Sequence, residues 1–212
     1  MRLDFFLVMC ELNCFTHHLK IQKVSSSLTV GLEKDMNKML CALVQCVFFL
    51  TMTRFLSAKG LQLDEDQVIQ EVVSFMEAEP KYAYKITIGT DSRLEASGKA
   101  DFVTAIVVHR IGNGGRYFWR RGNIEDRFHT LRDRIIKEVF LSLDVARGIL
   151  EKLQAQLSES PKWSFEIHVD VGEEGPTSVM LQEVLGIVRA HNFEALTKPQ
   201  SYAASSVADR HV

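Results

Sequence analysis

Residues 85–121 read KITIGTDSRLEASGKADFVTAIVVHRIGNGGRYFWRR, and three apolar runs within this stretch decide the fold. The first run, residues 85–88, alternates and is β-branched, which predicts a strand that stops at residues 89–92. Residues 102–108 are nearly all apolar, as expected for a strand that is covered on both faces. A GNGG turn, whose glycines tolerate positive φ, then leads into a third strand at residues 116–121. The stretch therefore predicts a meander of three strands.

Helices and strands alternate after the meander. Before it, Asp64 and Gln67 have the spacing of a capping box, and Pro80 ends the helix that they begin. The downstream patterns predict a long helix from near Asn123 to about Leu157, a strand at 163–170, a helix at 176–190, a strand at 193–197 and a last helix at 202–209. This order predicts an α/β protein with one mixed five-stranded sheet and helices on both faces. It is the element order of the ribonuclease H fold.

The composition excludes several classes of protein. The chain has 212 residues, of which 46% are hydrophobic and 25% charged, and its formal net charge is −2. A disordered or low-complexity chain would be less apolar, and this length suffices to bury a sizeable core. The near-neutral charge excludes wholesale neutralisation of phosphates, so any contact with nucleic acid must come from a local patch.

The first 51 residues differ from the rest of the chain. They contain all four cysteines of the chain, Cys10, Cys14, Cys41 and Cys46. The spacing of these cysteines is too loose for a zinc site. The apolar run Met39–Met52 is shorter than the roughly 20 residues that cross a bilayer, and we interpret it as a buried helix, a membrane tether or a signal-like core. We favour residues 1–51 as an added or mis-assigned extension, with translation starting at Met52 and a ribonuclease H-like domain at residues 52–212. The cysteine-free remainder predicts a cytoplasmic protein without stable membrane association.

Four carboxylates occupy positions that secondary structure alone does not explain. Asp91 is predicted to follow one apolar strand directly and Asp170 to end another, and these two strands are predicted to be parallel neighbours whose carboxyl ends meet at one edge of the sheet. Glu138 interrupts an otherwise mostly apolar helix stripe. Asp209 follows small residues on the last helix. Taken singly, each is more often a turn former or a surface residue, and only the set of four predicts a site.

Converging carboxylates repel one another, and a bound cation relieves that repulsion. Hard oxygen ligands favour Mg²⁺ or Mn²⁺ over zinc. We therefore expect two such ions, with Asp91 bridging them, Glu138 and Asp170 flanking, and Asp209 completing the second site. Such a pair supports in-line hydrolysis of a phosphodiester bond.

A basic and aromatic stretch follows the hairpin turn. Residues 110–137 contain eight Lys and Arg against three Asp and Glu, with Tyr117, Trp119 and Phe128 interleaved. One interpretation is a surface that grips nucleic acid by phosphate contact and base stacking. The other places Tyr117 and Trp119 in the core, with the arginines covering a solvated strand. The candidate nucleic-acid-binding residues are Arg116, Arg120, Arg121, Arg127 and Lys198. Lys198 and His211 have two further interpretations, as residues that assist the site electrostatically or as ordinary surface residues.

Five segments resemble the ribonuclease H-like YkuK family of bacteria. They are residues 88–92 (IGTDS), 101–107 (DFVTAIV), 114–118 (GGRYF), 168–172 (HVDVG) and 198–204 (KPQSYAA). The resemblance runs from about Leu61 to the C-terminus, and it implies a ribonuclease H-like fold with a metal-dependent nuclease site. In that superfamily the acidic positions correspond to Asp91, Glu138, Asp170 and Asp209 of this chain.

The sequence thus predicts a divalent-metal-dependent nuclease that acts on RNA, DNA or a hybrid. The alternative is a catalytically silent ribonuclease H-like module that binds nucleic acid or a protein partner.

Overall fold

The computed structural model describes residues 54–157 and 160–212, with the backbone alone at residues 123–126 and 204–205. The predictions made for residues 1–51, for the run Met39–Met52 and for a start at Met52 lie outside the described residues. No helix in the part of the chain that the structure describes is long and apolar enough to span a membrane.

The predicted meander forms the centre of one mixed sheet. The strands of this sheet are β1 (Phe55–Ser57), β2 (Gln62–Leu63), β3 (Tyr84–Leu94), β4 (Lys99–Arg110), β5 (Gly115–Arg127), β6 (Trp163–His168) and β7 (Glu194–Leu196). They lie in the order β2-β1-β5-β4-β3-β6-β7. β3, β4 and β5 pair antiparallel, whereas β6 is parallel to β3 and β7 is parallel to β6. The fold class and the parallel pairing are confirmed.

Within the described residues the sheet has seven strands where five were predicted, because β1 and β2 extend it beyond β5. These strands are only three and two residues long. Such short segments show no alternating pattern, so they are recognised only through their pairing with a neighbour.

Three helices cover one face of the sheet. They are α1 (Glu65–Glu77), α2 (Leu131–Gln156) and α3 (Leu181–Ala190), the last preceded by a 3₁₀ turn at Ser178–Met180. Asp64 and Gln67 form the predicted capping box at the start of α1. The predicted start of α2 near Asn123 is wrong, because β5 continues through Arg127 and the helix begins after Thr130, whose side chain accepts a hydrogen bond from the N–H of Asp133.

The main core lies between these helices and the sheet. Fully buried side chains of α1 and α2 pack on alternate residues of the central strands, among them Ile86, Ile88 and Ile106. Since successive strand residues point to opposite faces, Thr87, Gly89 and Asp91 lie on the other face. That face carries a π-helical segment, Ala203–Ala208, which contacts β3 and β4, followed by a 3₁₀ turn, Asp209–His211. Helices on both faces are therefore confirmed.

Candidate active site

Asp91 lies inside β3, opposite Val103 of β4. The prediction that it follows the end of a strand is wrong, because the pairing with β4 continues as far as Leu94 and Ala100. Its side chain is half-buried on the face that carries the C-terminal helical segment. A polar residue in the middle of a central strand has weaker structural reasons to be there than one in a turn.

Glu138 projects from α2 towards Ser92, the residue that follows Asp91 in β3. Its side chain is buried, and the hydroxyl of Ser92 donates a hydrogen bond to its Oε1 at 2.5 Å. Arg134, one turn earlier on α2, donates to the backbone oxygen of Ser92 at 2.8 Å. Two residues of one helix face therefore hold Ser92 through its side chain and its backbone, and they fix α2 against the strand at Asp91.

Asp170 lies two residues beyond the end of β6, the parallel neighbour of β3. The ammonium of Lys198 is 3.0 Å from its Oδ2. Its Oδ1 is buried and has no hydrogen-bond partner. One oxygen of this carboxylate is thus neutralised by a cation, and the other is an acceptor without a donor.

Asp209 begins the 3₁₀ turn that follows the π-helical segment, and it is exposed. Two of the small residues that precede it, Ala203 and Ala208, are fully buried. Ala208 packs against Val103 and Ala105 of β4. The charge of Asp209 acts on Asp91, whose pKa it helps to raise.

The electrostatics link the four carboxylates around Asp91. Burial raises the pKa of Asp91 to about 6; a backbone hydrogen bond from Ser92 opposes this shift, and the charges of Asp170 and Asp209 add to it. Burial also raises the pKa of Glu138 to about 8, with Ser92 opposing the shift and the charges of Asp91 and Asp170 adding to it. The guanidinium of Arg134 lowers both pKa values. Burial is thus the main cause of both pKa shifts, and the neighbouring carboxylates add to it.

The oxygen donors are of the type that a divalent cation prefers, but their grouping is incomplete. The candidate ligands are hard carboxylate oxygens, one of which, Oδ1 of Asp170, is buried without a partner. Within residues 54–157 and 160–212, however, no three His, Cys, Asp or Glu side chains stand together as a metal-binding group. Two of the carboxylates already have other partners, since Glu138 accepts from Ser92 and Asp170 from Lys198.

The predicted basic patch divides between the two faces of β5. Arg116 pairs with Glu71 of α1 at 2.7 Å, and its guanidinium lies over the ring of Phe75. The guanidinium of Arg120 lies over the ring of Phe55, and burial lowers its pKa. These two arginines contact the helix-covered side of the molecule.

Of the remaining candidate binding residues, Lys198 contacts one of the four carboxylates. Arg121 pairs with Asp101 at 3.3 Å and donates to the backbone oxygen of His211. Arg127 is exposed at the end of β5. Lys198, predicted as a nucleic-acid contact, pairs with Asp170.

Tyr117 and Trp119 lie on the face of β5 opposite Arg116 and Arg120, outside the main core. The Trp119 ring stacks on His211 with 4.2 Å between ring centroids and 9° between planes. Tyr117 lines a cavity of about 360 Å³ together with Val107, His109, Gly115, Arg116 and Tyr202. Both aromatic residues are half-buried under or beside the C-terminal segment.

The polar groups that support the site were not predicted from the sequence. Ser92 and Arg134 hold Glu138 in place, and the hydroxyl of Thr90 bonds those of Thr104 at 2.9 Å and Ser142 at 2.8 Å. One signal was present, because Arg134 and Glu138 are four residues apart and so share a helix face. The hydroxyl network joins three separate elements, and no local spacing reveals it.

Comparison with known proteins agrees with this architecture. A family model described as "Ribonuclease H-like" matches residues 67–212. The chain is 29% identical over 164 residues to "Uncharacterized protein YkuK" of Bacillus subtilis (strain 168). The aligned region covers 74% of this chain and 95% of that protein. No solved structure matches it significantly. With the sheet order, the parallel β3–β6 pair and the C-terminal helical segment, these matches show that the chain belongs to the ribonuclease H-like family, among the YkuK proteins.

Proposed function

We propose that this protein hydrolyses phosphodiester bonds of nucleic acid with the help of Mg²⁺ or Mn²⁺. The observation that supports the proposal best is the electrostatic interaction of Asp91 with acidic residues of separate elements, since its pKa is raised to about 6 by burial and by the charges of Asp170 and Asp209. A carboxylate cluster that disfavours its own ionisation is costly to a fold, and such clusters are concentrated at functional sites.

The residues have separable roles in this proposal. Asp91, Glu138, Asp170 and Asp209 would hold two divalent ions, which when bound supply an activated water and stabilise the leaving oxygen. Ser92 keeps the Glu138 carboxylate oriented, and Arg134 keeps Ser92 in place. We assign the contacts with substrate phosphates to Arg121 and Arg127, since Arg116 and Arg120 contact α1 and β1.

A second candidate is a binding module without catalysis. It is favoured by the Lys198 ammonium beside Asp170, which places a positive charge of the protein itself at the carboxylate cluster. In this case the chain binds nucleic acid or a protein partner through the same edge of the sheet and does not cleave.

The test is cleavage of labelled single-stranded, duplex and hybrid oligonucleotides by the purified full chain with Mg²⁺ or Mn²⁺. We expect Asp91→Asn to reduce the rate at least about 100-fold, because it removes the carboxylate shared by the whole cluster. Glu151→Gln, an exposed position on α2, is the matched control and should cleave like the wild type. If the wild type and Asp91→Asn show the same residual rate on every substrate, the binding module is the better account.

A further inference from the structure

Lys198 is held at the carboxylate cluster by three contacts. Its ammonium lies 3.0 Å from Oδ2 of Asp170, and its backbone N–H donates to the oxygen of Val171 at 2.8 Å. Its side-chain stem lies across Gly172, where an added Cβ would come within 3.1 Å of the Lys198 Cβ. The backbone, the stem and the charged end are therefore all positioned against residues 170–172.

The Lys198 ammonium lies beside one of several carboxylates that interact electrostatically. Asp170 adds to the pKa rise of both Asp91 and Glu138, so it belongs to the same electrostatic cluster as these residues. A lysine ammonium is a compact point charge, and it repels any other cation that approaches the oxygen it contacts. The other oxygen, Oδ1, is buried and has no hydrogen-bond donor.

The Lys198 side chain can leave this position without unfolding the site. About half of it is exposed, at 51% relative accessibility, whereas the Asp170 side chain is 22% exposed. Exposed ion pairs contribute little to stability, so separating this pair costs the fold little.

We propose that the Lys198 ammonium is the resident cation of Asp170 and competes with a divalent metal ion for that carboxylate. The inference rests on the proposed function in one respect, since it takes the four-carboxylate cluster as the place where the metal ion binds. In this chain Lys198 then limits metal affinity, and a metal ion binds at Asp170 only when the ammonium moves away.

The experiment compares Mn²⁺ affinity between the wild type and Lys198→Met, using the rise in unfolding temperature of the full chain as the readout. Methionine keeps an unbranched stem over Gly172 and removes the charge. A unit charge within a few ångströms changes the proton affinity of a carboxylate by about tenfold or more, so we expect Lys198→Met to bind Mn²⁺ at least about tenfold more tightly. Lys198→Arg, which keeps the charge, should remain within about threefold of the wild type.

Two controls make the outcome specific. Lys162→Met removes an exposed lysine at the start of β6 and should leave Mn²⁺ affinity unchanged. Adding Asp170→Asn to Lys198→Met should abolish the gain, because the competition requires that carboxylate. If Lys198→Met folds poorly, Lys198→Gln gives the same comparison.

The results separate this inference from the proposed function. If Lys198→Met binds Mn²⁺ no more tightly than the wild type, or does not bind it, the inference is overturned even if the wild type cleaves nucleic acid. If Lys198→Met gains affinity while neither protein cleaves, the inference stands and the nuclease function fails.

Discussion

Glu138 shows, at the scale of a single residue, how burial and neighbouring charge act together. Its pKa rises to about 8 from an ordinary value near 4.5, chiefly through burial and further through Asp91 and Asp170, against the opposing effects of Ser92 and Arg134. Between these two pH values the folded protein therefore holds a proton that the unfolded chain releases. The free energy of unfolding must fall as the pH rises through this window.

Replacing Glu138 by Gln should remove this loss, because glutamine has no proton to release. We expect the free energy of unfolding of the wild type to fall by up to about 1.4 kcal/mol per pH unit between about pH 5 and 8 relative to Glu138→Gln. Urea denaturation at a series of pH values measures the difference. Glu151→Gln on the exposed side of α2 should keep the wild-type slope, and an unchanged slope in Glu138→Gln would contradict the assignment.

At the scale of elements, α2, the helix that carries Glu138, begins at a capped residue. The side chain of Thr130 accepts from the N–H of Asp133 and so caps the helix, whereas Thr177, before the 3₁₀ turn at Ser178–Met180, makes no such hydrogen bond. The two threonines thus occupy equivalent positions with and without a capping contact.

Thr130→Ala should lower the free energy of unfolding by about 1 kcal/mol, because it leaves backbone N–H groups of the first turn without an acceptor. Thr177→Ala should change it by less than about 0.5 kcal/mol. Chemical denaturation of both variants gives the comparison. Equal losses in the two variants would show that the cap contributes nothing particular to α2.

The same elements show which features a sequence reveals. The capping box at Asp64 and Gln67 involves residues three apart and was predicted correctly. The end of β5 was not predicted correctly, because the strand continues through its pairing with β4. In that pairing Asn123 lies opposite Asp101. Asp91 was misplaced for the same reason, since its own flanking residues resemble a turn while a distant strand keeps it extended.

At the scale of the whole molecule, the order of elements was predictable and the contacts between distant side chains were not. The apolar runs determined the meander and the parallel strand beside it, and the assignment of the four acidic residues to one site stays a prediction. The pairing of Lys198 with Asp170 and the bond from Ser92 to Glu138 join residues far apart in the chain, and no periodicity encodes them. Under the proposed function, those contacts would determine how strongly the carboxylates attract a cation.

Metal binding should stabilise the whole chain more in mildly alkaline than in acidic solution. Protons compete with a cation for Asp91 and Glu138, whose pKa values are about 6 and about 8. We expect the Mg²⁺-dependent rise in unfolding temperature to be several times larger at about pH 8.5 than at about pH 5, and to vanish in Asp91→Asn. Differential scanning fluorimetry measures it, and an equal rise at both pH values would contradict binding at this cluster.

The stacking of Trp119 on His211 places a fluorescent side chain against the C-terminal segment. The chain has two tryptophans, and the other, Trp163, lies at the start of β6. A Trp163→Phe protein would therefore emit from the indole that lies against the C-terminal segment alone. Lifting of Asp209 away from the sheet would then be visible as a change in intrinsic fluorescence, in real time and without any label.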